Sequence, residues 1–388
     1  MKALDKFTEK FWDTVFRNKN ILFFVCILII GSVIRICGFD HITGDYYFYN
    51  TWFYDLKENT WFALGHGVGD YSIFFQTVFL FLTLIPGKGM YIYKTMSCLF
   101  DLGQALLIAG FVTDFKKENL LKEKFNLSFS LAFLLPTVVL NSAYWGQFES
   151  CYSFFLILVL ISLYKEKYNG AFAWLGLAFA WKFQSIFLVP FILVYCIAKK
   201  KLNILHPAIT LFVFWLTSIV GIFAGRSRLD AFRIYLGQSA EYGNMYLKTT
   251  SFWCLVGDNY DLLSSFAMLL TVALLGLGAY MVLSGKKKIS TGEEMLNTAA
   301  WFMWTVTFFL PAMHERYSYF LDLIWILLAF KNTRYIKYLV LTASLNLINY
   351  GAYLCDIPAA DTAPFALLML GAYIYYSKEI LTSDSSST

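Results

Sequence analysis

The chain has 388 residues, of which 59% are hydrophobic, 20% aromatic and only 15% charged, with a net charge of +5. Soluble domains carry about 25% charged residues, so the composition excludes an ordinary globular protein, and the modest positive balance gives no footing for nucleic-acid binding. The apolar runs are long and continuous rather than alternating at every second residue, which excludes a membrane β-barrel and leaves an all-α polytopic membrane protein.

The first apolar run, residues 21–38, follows basic residues and is short enough for a signal peptide. No small-x-small cleavage site follows it and Arg35 interrupts its end, so it reads as a retained span. Residues 44–71, GDYYFYNTWFYDLKENTWFALGHGVGDY, form the next connection. They hold Asp45, Asp55, Glu58 and Asp70, with Asp40 just before, against the single Lys57. Tyr47, Phe48, Trp52, Phe53 and Leu56 fall near one side of a helix, so this segment is expected to lie flat on the bilayer with Asp45 just above the lipid. An interfacial aromatic belt with solvated acids is the alternative. Residues 72–86 are apolar enough to span, but counting them as a crossing reverses the side of everything after them. They are read as a re-entrant or half-crossing helix.

Further spans are expected at 91–113, 127–144, 150–164, 170–182, 185–198, 206–224, 261–284, 298–312, 317–330, 337–353 and 364–377. With the first run at 20–38 and the half-crossing, that makes about 12 to 13 membrane helices, several shorter than the roughly 20 residues a perpendicular span needs and therefore tilted or broken. Basic clusters at 2–19, 116–124, 165–167, 199–201, 286–288 and 331–337 mark one side as cytoplasmic. The connections at 44–71, 145–150, 181–185, 225–260, 311–317 and 356–361 are then extracytoplasmic. Residues 1–380 read as a single membrane domain with an outer loop at 39–71, and 381–388 as a disordered tail. The seven cysteines are Cys26, Cys37, Cys98, Cys151, Cys196, Cys254 and Cys355. They are scattered without a CxxC, so no disulfide framework, metal or cofactor is expected.

Ionisable groups inside or at the ends of spans cost about 2.5 to 3.5 kcal/mol each to insert and are functional candidates by default. Lys94 and Asp101, seven residues apart on one helix face, are expected to form an ion pair, directly or through a neighbouring helix. Lys182 and Gln184 sit where the chain turns between two apolar runs, with snorkelling or phosphate binding as the two readings of the lysine. His314, Glu315 and Arg316 follow Pro311, whose ring ends the helix before it, and three polar groups at the mouth of a span are hard to explain as packing. Arg226, Arg228, Arg233 and Lys248 lie on the face where cations are disfavoured, either for an anionic ligand or on a solvated loop. The outer face thus offers carboxylates from one end of the chain and cations from the other. Aromatics such as Tyr46, Trp52, Trp61, Tyr144 and Trp145 can stack on sugar rings or lipid. That combination suits transfer of a sugar from a membrane-embedded phosphate carrier.

Five motifs in order give this a family resemblance. GDYYFYNTWFYDL resembles the first outer loop of the GT-C fold glycosyltransferases that use polyprenyl- or dolichyl-phosphate sugars, where a GD(F/Y) aspartate precedes a helix. GDYS at 69–72 is similar to their DYPP, with both prolines missing. LNSAYWGQFES resembles the WGQ signature of the bacterial relatives, with Glu149 in place of the usual aspartate. WKFQS is similar to their K-x-Q element and MHERY to HE(K/R). The resemblance implies a GT-C-like fold and metal-independent, inverting transfer to a hydroxyl of a glycan or lipid-linked acceptor on the extracytoplasmic face. It implies Asp45 as general base and Asp70 as an orienting partner, with Lys182, Gln184, His314 and Arg316 on the donor phosphate and Arg226 as a weaker addition. Tyr46, Trp52, Trp145, Gln147, Glu149 and Glu315 would contact substrate. The competing reading is a transporter or flippase of a polyprenyl-linked glycan, which should place its ionisable residues near mid-membrane and often shows two related halves, here not visible. A structural membrane subunit would leave the one-sided polar motifs unexplained.

Overall fold

The computed structural model describes residues 2–238, 242–355 and 363–382. The expected turn at 356–361 and the tail residues 383–388 lie outside the described residues, and the expected tail residues 381 and 382 end the helix Ala363–Thr382. The structure is mostly helical (78%), with 18 α-helices among the described residues. Among the described residues the strands are two residues each, Tyr246–Leu247 paired in parallel with Met313–His314. Among the described residues three helices are long and apolar enough to cross a membrane: Lys19–Gly38, Gly89–Val112 and Tyr260–Leu283. A fourth span is reached if Glu123–Leu134 and Pro136–Trp145, which meet at 49°, are one broken crossing. The break has a local cause, because Pro136 supplies no N–H and its ring clashes with the preceding turn.

Helix Ile73–Leu82 has 10 residues, with the Ser72 hydroxyl accepting from Phe75 N at 3.1 Å as its N-cap. Ten residues rise about 15 Å, half of a hydrocarbon core about 30 Å thick. At the centre stand Gly292–Phe309 and Tyr319–Lys331, buried along nearly their whole lengths. A helix apolar on every side belongs inside a larger assembly of helices, and these two pack through Trp304 and Trp325, edge to face at 5.7 Å. The first starts on a capping box in which Thr291 and Glu294 each bond the other's backbone N–H, at 3.2 and 2.8 Å. The loop joining these two core helices carries His314, Glu315 and Arg316.

Two expectations are corrected. Lys94 does not pair with Asp101, since seven residues of helix separate them by about 10 Å. Asp101 is reached instead from the neighbouring helix by Arg35, through Nε at 3.0 Å and Nη2 at 2.9 Å. Lys94 Nζ donates to the carbonyls of Gly38, Phe39, His41 and Tyr144 at 3.2, 3.1, 2.7 and 3.0 Å. A cation at a helix C-terminus satisfies orphan carbonyls there, and this one pins the turn from Lys19–Gly38 into the outer helix. That outer helix, Gly44–His66, does not present the expected ring face to lipid. Tyr49, Phe53 and Leu56 are buried in the protein core, whereas Tyr47 and Phe48 are exposed on another side. The helix therefore packs inward, with an interruption at Thr60 (φ 46°, ψ −118°).

Candidate active site

Gly146 sets the first half of the site. The chain leaves the kink at Pro136 as a wide π-helical turn over Leu140–Trp145, and stops it in a left-handed conformation at Gly146 (φ 80°) that a side chain would strain. Gln147 N then bonds back to Asn141 O at 2.8 Å. This reversal turns Trp145 and Gln147 toward the start of the outer helix. Trp145 Nε1 and Gln147 Nε2 both donate to Asp45 Oδ2, each at 2.6 Å. The other end of the amide, Gln147 Oε1, accepts from Tyr49 at 3.1 Å and from Lys182 Nζ at 3.4 Å. With a carboxylate on one side and two donors on the other, the amide fits in only this orientation.

The cations arrive from two other segments. Helix Tyr168–Trp181 ends where Lys182 becomes extended (φ −157°, ψ 138°), and its ammonium pairs with Glu149, the first residue of helix Glu149–Tyr164. Arg316 reaches the same carboxylate through Nε at 3.4 Å and Glu315 through Nη1 at 2.5 Å, while His314 Nδ1 lies 3.7 Å from Glu315. The loop carrying them is anchored by the strand pair and by Ala312 N donating to Met245 O at 3.0 Å. The result is an alternating chain of charges, Lys182, Glu149, Arg316, Glu315, in which every member is at least nine-tenths buried. Burial pushes His314 below the ordinary histidine value despite Glu315 beside it. Burial alone would raise Glu315, but Arg316 and His314 outweigh it and hold the carboxyl below its ordinary value. Burial also opposes the charge on Arg316, which Glu315, Glu149 and Asp45 more than restore.

Of these groups, Lys182 and Arg316 border a cavity of about 250 Å³. Its polar lining includes Asp70, Lys182, Gln184 and Arg316, and its apolar lining includes Trp181, Phe183, Phe187, Met268 and Leu310. Asp70 is presented by the turn at Gly69 (φ 69°), where a Cβ would strike the Trp52 ring. Burial raises the Asp70 carboxyl above its ordinary value, with Lys182 and Arg316 pulling the other way. Gln238 donates to the Asp70 carbonyl at 2.6 Å.

The structure thus brings together Asp45, Asp70, Trp145, Gln147, Glu149, Lys182, Gln184, His314, Glu315 and Arg316, from five separate stretches of chain. Gln147 and Glu149 are fully buried; Gln147 bonds Asp45, Tyr49 and Lys182, and Glu149 meets Lys182 and Arg316 through Oε1 while its Oε2 has no hydrogen-bond partner among the described residues, so in this structure both hold other side chains. Asp45 is not in the cavity wall, and Gln147 lies between it and Lys182. Arg226 is also outside the wall, packed against Gly67 and Gly221. Arg233 is exposed and pairs with Asp230 at 3.3 Å. Trp52 sits between Tyr49 and Tyr71, with ring centroids at 5.5 and 5.6 Å, and Tyr46 packs edge-on to Tyr47 at 5.4 Å. Sequence reasoning did not single out Tyr49, Tyr71, Tyr317 or Tyr353. Tyr71 and Tyr317 at least stand inside the quoted motifs GDYS and MHERY, but among 26 tyrosines nothing marks Tyr49 or Tyr353.

A scan against protein-family models finds no match for the chain, and a search of curated proteins finds no relative.

Proposed function

We propose that the protein is an inverting glycosyltransferase that moves a sugar from a polyprenyl-phosphate donor to a hydroxyl of a glycan or lipid-linked acceptor. The observation that carries this reading is a cavity lined by two buried cations, Lys182 and Arg316, by the carboxylate of Asp70 and by apolar side chains such as Trp181, Phe187 and Leu310, with Asp45 joined to Lys182 through Gln147. A lipid-linked phosphate pairs a charged head with an apolar tail. On this reading the donor phosphate meets Lys182 and Arg316, and the acceptor oxygen attacks the anomeric carbon from the opposite face. The bond from that carbon to the phosphate oxygen breaks, the phosphate leaves with the electron pair, and Asp45 takes the acceptor proton. Preorganised cations facing a developing anion lower the barrier because they need no reorganisation at the moment of reaction. The fold would be GT-C-like with about 12 to 13 spans, its shorter helices crossing among longer neighbours, and its site on the extracytoplasmic face.

The test is to incubate membranes containing the protein with a panel of polyprenyl-phosphate sugars and an acceptor fraction. Consumption of one donor with release of free polyprenyl phosphate is expected. A donor that crosses the bilayer with its sugar-phosphate bond intact would make the protein a transporter and overturn the proposal.

A further inference from the structure

Helix Lys19–Gly38 rises about 30 Å, so its start lies about that far from the turn that leads to Asp45. Two basic stretches meet at that start. Asn126 Nδ2 donates to the carbonyl of Asn20 at 2.8 Å and to that of Leu121 at 3.1 Å, which sets the first turn of Lys19–Gly38 beside the loop 113–124. A single residue, Asn18, joins the same turn to helix Lys2–Arg17. In that helix Phe11, Trp12, Val15 and Phe16 fall at i, i+1, i+4 and i+5, which is one face, while Glu9, Lys10, Asp13 and Arg17 take the other. Phe11, Trp12 and Phe16 are 51%, 50% and 67% exposed, so the described chain leaves this aromatic face open, and the exposed apolar surface runs on through Ile21, Leu22 and Val25. The neighbouring loop is folded on itself, with Phe115 N bonded to Gly110 O at 2.8 Å, Asn119 N to Lys116 O at 2.9 Å and Lys122 N to Asn119 O at 3.2 Å. It forms a pocket of about 170 Å³ lined by Thr113, Asp114, Lys116, Asn119, Lys122 and Lys124. Asp114 is engaged by the Tyr164 hydroxyl at 3.3 Å and the Lys331 ammonium at 3.9 Å. Lys116, Lys122 and Lys124 are exposed and have no ion-pair partner among the described residues.

We infer that helix Lys2–Arg17 lies along an anionic bilayer surface with Phe11, Trp12 and Phe16 among the acyl chains, and that the pocket of Lys116, Lys122 and Lys124 beside it takes the phosphate of an anionic phospholipid headgroup. The occupant follows from position and charge. Lys19–Gly38 is long and apolar enough to cross a membrane, so a helix joined to its first residue through Asn18 starts at headgroup depth, where lipid is what meets an apolar face. Residues 2–19 carry Lys2, Lys6, Lys10, Arg17 and Lys19 against Asp5, Glu9 and Asp13, and an amphipathic helix with an aromatic face and an excess of cations binds at the interface of an anionic leaflet. Leu120, 59% exposed between Lys116 and Lys122, gives the loop an apolar tip of its own. Held in this way, the interfacial helix sets the depth of Lys19–Gly38 in the bilayer. The inference does not depend on the glycosyl-transfer reading, since this surface is a helix length away from the proposed site.

The experiment has two arms, both on the full-length protein. In the first, Phe11→Cys and Asp13→Cys are made in a background where the exposed Cys26, Cys37 and Cys355 are serine, and each carries an environment-sensitive fluorophore. The proteins are placed singly in nanodiscs of equal parts phosphatidylcholine and phosphatidylglycerol with a nitroxide on the acyl chains. Quenching severalfold stronger at position 11 than at position 13 is expected. Equal quenching at both, or a position 11 shielded from the lipid quencher as a second copy or a soluble partner would leave it, overturns the inference. In the second arm, binding of short-chain phosphatidylglycerol to the detergent-purified protein is read by native mass spectrometry. Each lysine removed from the pocket should weaken it about fivefold, so the triple variant Lys116→Gln, Lys122→Gln, Lys124→Gln should lose roughly 10² in affinity. The corresponding triple arginine variant should bind like the wild type, and short-chain phosphatidylcholine should not tell the proteins apart. Equal phosphatidylglycerol affinity in the wild type and the glutamine variant overturns the headgroup assignment. Displacement of phosphatidylglycerol by inorganic phosphate at matched concentration also overturns it, for the pocket is then a site for the free anion.

Discussion

Replacing Glu149 with glutamine removes the negative charge that Lys182 and Arg316 share, at a position with no exposed surface. Glutamine has the same shape and leaves one carbonyl oxygen as an acceptor, so packing is held nearly constant and charge is what changes. The ionic chain of Lys182, Glu149, Arg316 and Glu315 is balanced, two cations against two carboxylates. The variant leaves it one positive charge in excess, inside protein. Breaking a buried pair by removing one partner costs about 3 to 5 kcal/mol, since the other charge stays desolvated. With an unfolding entropy of roughly 2.1 cal/mol/K per residue, a chain this long would lose about 4 to 6 °C in its unfolding midpoint. An anion in the cavity would repay that loss. Polyprenyl phosphate should therefore raise the midpoint of Glu149→Gln by more than it raises that of the wild type, measured in detergent at matched concentrations. The reasoning fails if Glu149→Gln unfolds at the wild-type temperature. It also fails if polyprenyl phosphate stabilises both proteins equally, for then the cations are not where the phosphate binds.

Arg316→Ala is expected to lower kcat/KM by roughly 10² or more, with Arg316→Lys recovering only part, because an ammonium cannot reproduce the fork that meets a carboxylate on two edges. Wild-type rates in Arg316→Ala would remove it from the site. Asp45→Asn should cut transfer by about 10² to 10⁴ while the donor still binds, and Asp70→Asn by less; the reverse order in a transfer assay would exchange the two roles. Asp70 also predicts a stability profile. Its folded-state value is raised by burial, so the stability it contributes is full below the ordinary carboxylate value near 3.9 and is lost as pH rises through the raised one. Asp70→Asn should therefore melt above the wild type at pH 7 and with it below pH 3.5 or so. For topology, a cysteine at the exposed Phe48 should react with an impermeant maleimide from outside intact cells, and one at the exposed Lys286 should not. Opposite labelling would put the site in the cytoplasm.

Much of the site was legible because its chemistry lies in residues that a membrane-embedded chain rarely carries. Lys182, Glu149 and the His314 to Arg316 run stand out against apolar surroundings, and the structure brings them together. That residues 72–86 hold a short apolar helix was legible from their composition, and helix Ile73–Leu82 stands there. What was not legible depends on pairing across the bundle. Asp101 belongs with Arg35 rather than Lys94 because of where the first helix lies against Gly89–Val112, and nothing in the spacing of either residue encodes that. On helix Gly44–His66 the expected stripe divides: Phe53 and Leu56 turn into the core with Tyr49, while Tyr47 and Phe48 are exposed on another side. Phe53 and Leu56 are as apolar to a core as to lipid, so periodicity could not tell which one they meet.

The charge balance of the site also bears on why Glu149 and Glu315 stand beside the proposed phosphate contacts at all. Two cations facing an anionic leaving group would seem better served without carboxylates next to them. A pair of bare cations at nine-tenths burial, however, would be desolvated and mutually repelling whenever the cavity was empty. The interleaved carboxylates keep both groups charged and fixed in place while no donor is bound. Glu149 is held between Lys182 and Arg316, so a donor phosphate arriving at the cavity wall would compete for N–H groups already aimed and ionised rather than recruit them from solvent. Full neutralisation would blunt the attraction at a distance, but the leaving phosphate is met at contact range, where oriented donors matter more than net charge. On the proposed reading, this is the sense in which a neutral resting cluster can still stabilise a departing anion. It is also why removing Glu149 should strengthen binding of polyprenyl phosphate while weakening the empty protein.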